Sequence, residues 1–265
     1  VWSPSTGLSS TIISDPIVSL NNLTLGNDTI IYTLSVANGY NCTDSSNVLV
    51  VINFVPESDA GNDTSFCSGD SATIGSASTS GYDYSWNTAD GLSDSTDANP
   101  TVSWTNNDTI TDTLIYIVTT TVDSCSTSDS VTVIVFPLPI VDAGEDKYLC
   151  SGTTDTIGSA PIGGYSYSWN TAYGLSDSSI ANPTVTLLND SITNDTNLYI
   201  VTVINGFACS DQDSTIVIIN HLPVSDAGND TSFCSGDSAT IGSANTPGYD
   251  YSWNTADGLS DSTLA

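Results

Sequence analysis

A tripeptide that returns at a fixed interval limits this chain more than any other feature. Asp59-Ala60-Gly61 recurs as Asp142-Ala143-Gly144 and Asp226-Ala227-Gly228, in steps of 83 and 84 residues. Other landmarks keep the register: Trp2, Trp86, Trp169 and Trp253; Tyr32, Tyr116 and Tyr199; Pro16, Pro100 and Pro183. Two cysteine series do the same, Cys42, Cys125 and Cys209 in one, Cys67, Cys150 and Cys234 in the other. Self-similarity at a fixed period means an array of modules that each form one unit of structure. The register divides the chain into the back part of one repeat (1–58), two whole repeats (59–141 and 142–225) and the front of a fourth (226–265). Residues 226–265 match 59–98 at 37 of 40 positions, differing at Ser78/Asn245, Ser80/Pro247 and Asp97/Leu264. That near-identity is expected of a window onto a long, recently duplicated array.

Within residues 59–141 the apolar residues alternate with period two, in short runs broken by Gly, Pro, Asn and Asp. Ser71–Ile74, Tyr82–Trp86, Pro100–Trp104, Leu114–Val122 and Ser130–Phe136 read as strands. No stretch has a convincing helical period. Some seven short strands in about 83 residues predict an all-β fold, tandem Ig-like/PKD-like β-sandwiches. Trp86 falls where a central strand would bury its indole, and Tyr116, thirty residues on, where a tyrosine corner would lie. Trp104, which replaces Leu20 and Leu187 of the other repeats, is read as core. The joints carry Pro56, Pro137 with Pro139, and Pro223, so short proline-bearing connections should hold the modules as a semi-rigid rod.

Composition decides what such an array can bind. There are 30 acidic side chains against one Lys or Arg, giving a formal net charge of −29. Phosphate recognition needs a basic footprint, so nucleic acid is excluded as a partner, and an anionic membrane would repel the chain. Acidic neighbours repel one another as well, which high salt or divalent cations would relieve. No apolar run approaches the ~18 residues of a membrane span. Repeated cysteines imply an oxidising, extracellular location.

The residues of one repeat carry a resemblance. Asp59-Ala-Gly-Asn-Asp63, Cys67-Ser-Gly-Asp70, Tyr84-Ser-Trp86, Gly91-Leu92 and Asn99-Pro100 resemble the PKD-like, Ig-like repeats of giant surface and secreted proteins of gliding bacteria that use type IX secretion. The resemblance covers the whole chain and implies stalks, adhesins and filaments, among them the hook-bearing filaments with which some predatory members catch prey. It also implies O-glycosylation where Asp precedes Ser or Thr and a small or aliphatic residue, as at Ser71, Thr109, Thr113 and Ser130. Asn-x-Ser/Thr sequons such as those at Asn27 and Asn107 are a second glycan pattern.

An enzyme needs a base, a paired nucleophile or an electrostatic clamp. One imidazole (His221), one Lys (Lys147) and no Arg offer none of these, and catalysis is not expected. Calcium is the cofactor that fits the composition, since it takes six to eight oxygen ligands. The candidate ligands are the joint carboxylates: Asp59 and Asp63; Asp142, Glu145 and Asp146; Asp226 and Asp230. The alternative is that Asp-Ala-Gly makes an Asx-type turn. A second cluster, Asp90, Asp94 and Asp97, becomes Tyr173, Asp177 and Ile180 in the next repeat and is not a feature of every module.

The disulfide candidates are Cys67, Cys125, Cys150 and Cys209, and the sequence leaves more than one scheme open. Pairing within a module links Cys67 to Cys125 and Cys150 to Cys209, each worth about 4 kcal/mol through the unfolded chain. An Ig-like strand order puts those two cysteines at opposite poles, and Cys67 would then meet Cys209 of the next module. Reduced or interchain thiols are the third possibility.

The function expected is a structural segment of a long extracellular filament or cell-surface stalk used for attachment or capture, self-associating into a multi-chain filament. The alternatives are an adhesin or carbohydrate-binding array, or linker repeats of a secreted enzyme. The near-absence of Lys and Arg, which removes trypsin-type cleavage sites, suits exposure outside the cell.

Overall fold

Alternation of apolar and polar residues over ten to twelve positions builds one long hairpin per module, and everything else hangs on it. A computed structural model describes residues 1–261 and 263. Leu264, one of the three positions that distinguish the fourth repeat from the second, lies outside the described residues. The chain forms two compact units, Val1–Leu138 and Pro139–Ala265. No helix occurs among the described residues.

In the first unit, β1 (Trp2–Ser3), β2 (Asp28–Ala37) and β3 (Thr43–Ile52) form an antiparallel sheet in that order. A fuller module follows: β4 (Thr64–Cys67), β5 (Ser71–Thr73), β6 (Asp83–Trp86), β7 (Thr101–Ser103), β8 (Asp112–Val122) and β9 (Cys125–Phe136). Its larger sheet has the order β4-β9-β8-β6, and β5 and β7 make a second, two-stranded sheet. The second unit repeats this with β10 (Lys147–Cys150), β11 (Thr154–Thr156), β12 (Ser166–Trp169), β13 (Thr184–Thr186), β14 (Asp195–Ile204) and β15 (Ser210–Asn220). Its sheets are β10-β15-β14-β12 and β11-β13. The chain is therefore an all-β tandem of Ig-like sandwiches.

The core lies between the two sheets of each module. Tyr116, Val118, Val131, Val133 and Val135 alternate inward from the long hairpin and meet Ile74, Val102 and Trp86. Tyr199, Val201, Val203, Val217 and Ile219 do the same against Ile157, Val185 and Trp169. Trp86 is buried as expected, and its indole N–H donates to the Asp97 carbonyl at 2.9 Å; Trp169 donates to Ile180 at the same distance. Trp104 is half-buried against the core, with its indole N–H on the Asp112 carboxylate at 3.1 Å. The tyrosine corner is not formed. Tyr116 sits in mid-strand, and its hydroxyl donates to the Asp90 carbonyl, 26 residues earlier and on a loop; Tyr199 repeats this with the Tyr173 carbonyl.

Three expectations need adjusting. The strand β4 was not legible, because Thr-Ser-Phe-Cys is short and becomes a strand only by parallel pairing with β9. The strand β9 starts at Cys125 rather than Ser130, its first turn being polar and set by register with β8. Residues 226–261 contain turns but no strand, although their sequence nearly repeats that of β4–β6. In the second module those strands pair with β9, β7 and β8.

One buried polar atom breaks the parallel between modules. Thr120 is fully buried, its Oγ1 has no hydrogen-bond partner, and the third repeat has Val203 in the same register. An unpaired buried hydroxyl costs about 1–3 kcal/mol. Thr120→Val keeps the shape and removes the cost, so it should stabilise the first unit by about 1 kcal/mol, read as a shift of the urea midpoint; a loss of stability would refute this account.

Candidate functional site

The joint between modules is where the repeat's invariant residues gather, and the Asp-Ala-Gly turn is its centre. Asp59 accepts the Gly61 N–H at 2.9 Å, Asp142 that of Gly144 at 2.9 Å and Asp226 that of Gly228 at 2.8 Å, each an Asx-type turn. The middle alanine is completely buried in both whole modules. Its carbonyl accepts from a glycine fifteen positions on: Gly75 to Ala60 at 2.7 Å, Gly158 to Ala143 at 2.8 Å. Gly75 is left-handed (φ +81°), and a Cβ there would lie 2.0 Å from the Ala98 carbonyl oxygen, so no other residue fits.

The alanine N–H is held by a carboxylate the sequence did not single out. Asp129 Oδ2 accepts from Ala60 N at 2.9 Å, and Asp213 Oδ2 from Ala143 N at 2.8 Å. The signal was present in the constant spacing Cys125–Asp129 and Cys209–Asp213. Around this contact the entry segment runs parallel to the last strand for most of its length. Thr127 Oγ1 donates to the Pro56 carbonyl at 2.7 Å, Ser58 Oγ to the Thr127 carbonyl at 2.8 Å, and Thr132 N to Asp63 Oδ1 at 2.8 Å. Then Thr64–Cys67 pairs with Val133–Phe136. In the third module Thr215 donates to the Glu145 carbonyl at 3.0 Å, Ile216 N to Asp146 Oδ1 at 2.9 Å, and Lys147–Cys150 pairs with Val217–Asn220.

These bonds bear on the calcium expectation. The side chains of Asp59, Asp63, Asp142, Asp146 and Asp226 each accept a backbone N–H, Glu145 contributes its carbonyl to the joint, and Asp230 is exposed. Among the described residues no three His, Cys, Asp or Glu side chains stand together as metal ligands. The Asx-turn alternative describes Asp59, Asp142 and Asp226. Asp94, from the second acidic cluster, accepts both the N–H and the hydroxyl of Thr96.

A second recurrent device closes the opposite pole. Asn106 Nδ2 donates to the carbonyls of Ile110 (2.7 Å) and Val135 (3.1 Å), and its N–H donates to Ser68 Oγ (2.9 Å). Asn22 and Asn189 do the same work, bridging to Gly26 and Ile52 and to Thr193 and Ile219. Each ties the loop before the long hairpin to the end of the last strand. In the first unit this pole of the β1–β3 module touches the β8–β9 hairpin of the next. Asn27 Nδ2 donates to Asp123 Oδ2 at 3.4 Å, and the rings of Phe54 and Tyr82 lie 6.2 Å apart. In the second unit His221 takes the place of the ring contact, with Nε2 3.3 Å from the Tyr249 hydroxyl and Nδ1 3.3 Å from Asn194 Oδ1. Lys147 pairs with Asp155 at 3.2 Å on the surface. Ser71, Thr109, Thr113 and Ser130, the O-glycan candidates, are all exposed.

The cysteines do not pair within a module. Cys125 and Cys150, like Cys42 and Cys234, carry free thiols, whereas Cys67 and Cys209 are disulfide-bonded. The register gives the reason. Cys67 lies opposite Phe136, at the far end of the strand that Cys125 begins. Eleven residues of strand separate them by about 36 Å, at ~3.3 Å each. Cys150 lies opposite Asn220, as far from Cys209. A disulfide needs Cα atoms within about 7 Å.

No protein-family model and no curated protein sequence matches the chain. Among solved structures it is similar to a titin I-band fragment, I67–I69 (11% identity over 74% of this chain and 75% of that one, TM-score 0.39). It is also similar to extracellular domains 3–5 of Drosophila OTK (9%, 72% and 70%, TM-score 0.35) and to the PKD domain of the KIAA 1837 protein (24%, 35% and 92%, TM-score 0.25). At these scores the fold assignment rests on the sheets themselves.

Asp129 supplies a pH test. The N–H groups of Ala60 first, and of Ser130, hold its carboxyl below the ordinary value, as Thr96 does for Asp94. A lowered folded pKa contributes stability above the unfolded value, near 3.9, and loses it as pH falls through the folded value. The urea midpoint should therefore be flat above about pH 5 and fall below about pH 4, and Asp129→Asn should flatten that fall; an unchanged slope in the variant would refute the assignment. Burial raises Tyr116 and Tyr199 above the ordinary tyrosine value, so their contribution is lost only at strongly alkaline pH.

Proposed function

We propose that this chain is a structural segment of a long extracellular filament or cell-surface stalk used for attachment or capture. One observation carries the reading. The joint is built from the residues the repeat holds most constant, and it spends its hydrogen bonds on fixing the entry segment to the module it enters. A linker that only tethers a neighbouring domain has no use for such bonds. Pro56 is buried, and the Asp129 carboxylate and Thr127 hydroxyl bind the backbone of residues 56–60. Disulfide-bonded Cys67 and Cys209 support an oxidising, extracellular setting.

The filament is multi-chain in this proposal. The charge of −29 makes chains repel, so bundling belongs to conditions that screen it. Every module also presents sheet edges that another strand can pair with. Sedimentation of the chain in 1 M salt with millimolar calcium should show assembly that reverses in low salt with chelator. A monomer under both conditions would refute lateral assembly, and non-fibrous native material in electron micrographs would refute the filament itself.

A further inference from the structure

The outer face of each long hairpin departs from the usual pattern, in which the solvated side of an antiparallel sheet carries the polar and charged residues. Side chains alternate across a strand, so the core-facing residues of β8 and β9 fix which of their neighbours point outward. The outward set is every second residue from Thr113 to Thr121 and from Ser126 to Ile134. In the first hairpin it runs from Thr29 to Ala37 and from Thr43 to Val51, and in the third from Thr196 to Ile204 and from Ser210 to Ile218. Those thirty positions hold aliphatic, hydroxyl and amide side chains and not one carboxylate. The same six strands contain seven aspartates, and all seven fall in the opposite phase. Asp129 and Asp213, which hold the alanine N–H groups, are two of them.

Apolar side chains gather on this uncharged face. Ile115 is 60% exposed, with Ile117 beside it and Ile134 on the diagonal. Ile31 pairs with Leu49 in the first hairpin, 57% and 58% exposed, and Leu198 with Ile216 in the third. We propose that this face is where a second copy of the chain docks, the outer faces of two hairpins packing against each other. It presupposes the self-association proposed for the chain and names the surface responsible. Charge decides the occupant. A basic partner would be met by carboxylates, and the outward phase has none. Two chains of net charge −29 repel, and the approach that brings fewest carboxylates together sets uncharged face against uncharged face. Aliphatic and hydroxyl side chains on one sheet interleave with those of another at ~10 Å between sheets, and a face used in this way is self-complementary. In the second module Asp83, outward on β6 opposite Thr121, marks one corner, so the contact centres on the Ile115 end. A face ten residues long and two strands wide covers about 330 Å². That is below the roughly 800 Å² per partner of a standard interface, so docking through one hairpin is weak and depends on concentration.

Sedimentation of the 265-residue chain at rising concentration, in 1 M salt with millimolar calcium, tests the face with charge-matched variants. The triple variant Ile31→Asp, Ile115→Asp, Leu198→Asp puts one carboxylate on each face. Ile12→Asp, Ile110→Asp, Ile192→Asp adds the same charge at exposed loop residues of the same repeats. The face variant should weaken association by roughly tenfold or more, because like charges then meet across the contact, whereas the loop variant should sediment as the parent does. Hydroxyl-radical footprinting of the unmutated chain is a second readout that no folding defect can disturb. Ile115 and Leu198 should be oxidised more slowly in assembled than in dilute protein, with Ile12 and Ile192 unchanged. Parent-like assembly of the face variant, equal loss in both variants, or protection confined to the loop residues would overturn the face and leave self-association standing. A parent that stays monomeric throughout would overturn both, and pelleting of that monomer with neutral lipid vesicles would assign the face to lipid instead.

Discussion

The parallel pairing of each module's entry segment with its own last strand is the constraint on which the rest of the structure depends. An antiparallel hairpin can form from neighbouring residues, but a parallel pair must bring together segments some seventy residues apart. The Ala60 N–H on the Asp129 carboxylate fixes where that pairing starts, and Cys67 opposite Phe136 is where it ends. Between those points the sandwich is closed: the buried alanine seals the core at one pole, and the asparagine bridge from Asn106 to Val135 seals it at the other. The third module repeats both locks with Asp213 and Asn189.

Acidic side chains, 30 against a single Lys or Arg, repeatedly serve here as acceptors for backbone N–H groups. Asp59, Asp63, Asp129 and Asp94 each hold a main-chain donor, and a charge-assisted bond of that kind is stronger than a neutral one. A chain with a single Lys can therefore order its loops without ion pairs. The same arrangement places a main-chain donor on Asp142, Asp146 and Asp226 as well.

Periodicity made the architecture legible: the repeat length, the long hairpins, the buried Trp and the Asx turns all follow from residue type and spacing. What escaped was whatever depends on a partner distant in sequence. Thr64–Cys67 has no strand pattern of its own, and Ser126–Asp129 reads as loop until β8 sets its register. Asp129 looks like one more surface acid. The tyrosine was read as a corner because its position suited one, yet its hydroxyl finds a loop carbonyl that no spacing rule points to. The cysteine poles could be argued from an Ig-like strand order, but choosing between the schemes needed the pairing of Cys67 with Phe136.

The parallel pairing of residues 64–67 with β9 also sets an order on how a module is completed. The β8–β9 hairpin joins residues that are neighbours in sequence, whereas β4 closes only when a segment some seventy residues later is in place. The last hairpin is thus the template on which the first strand is laid, and a pairing of such long separation is slow to form compared with a local hairpin.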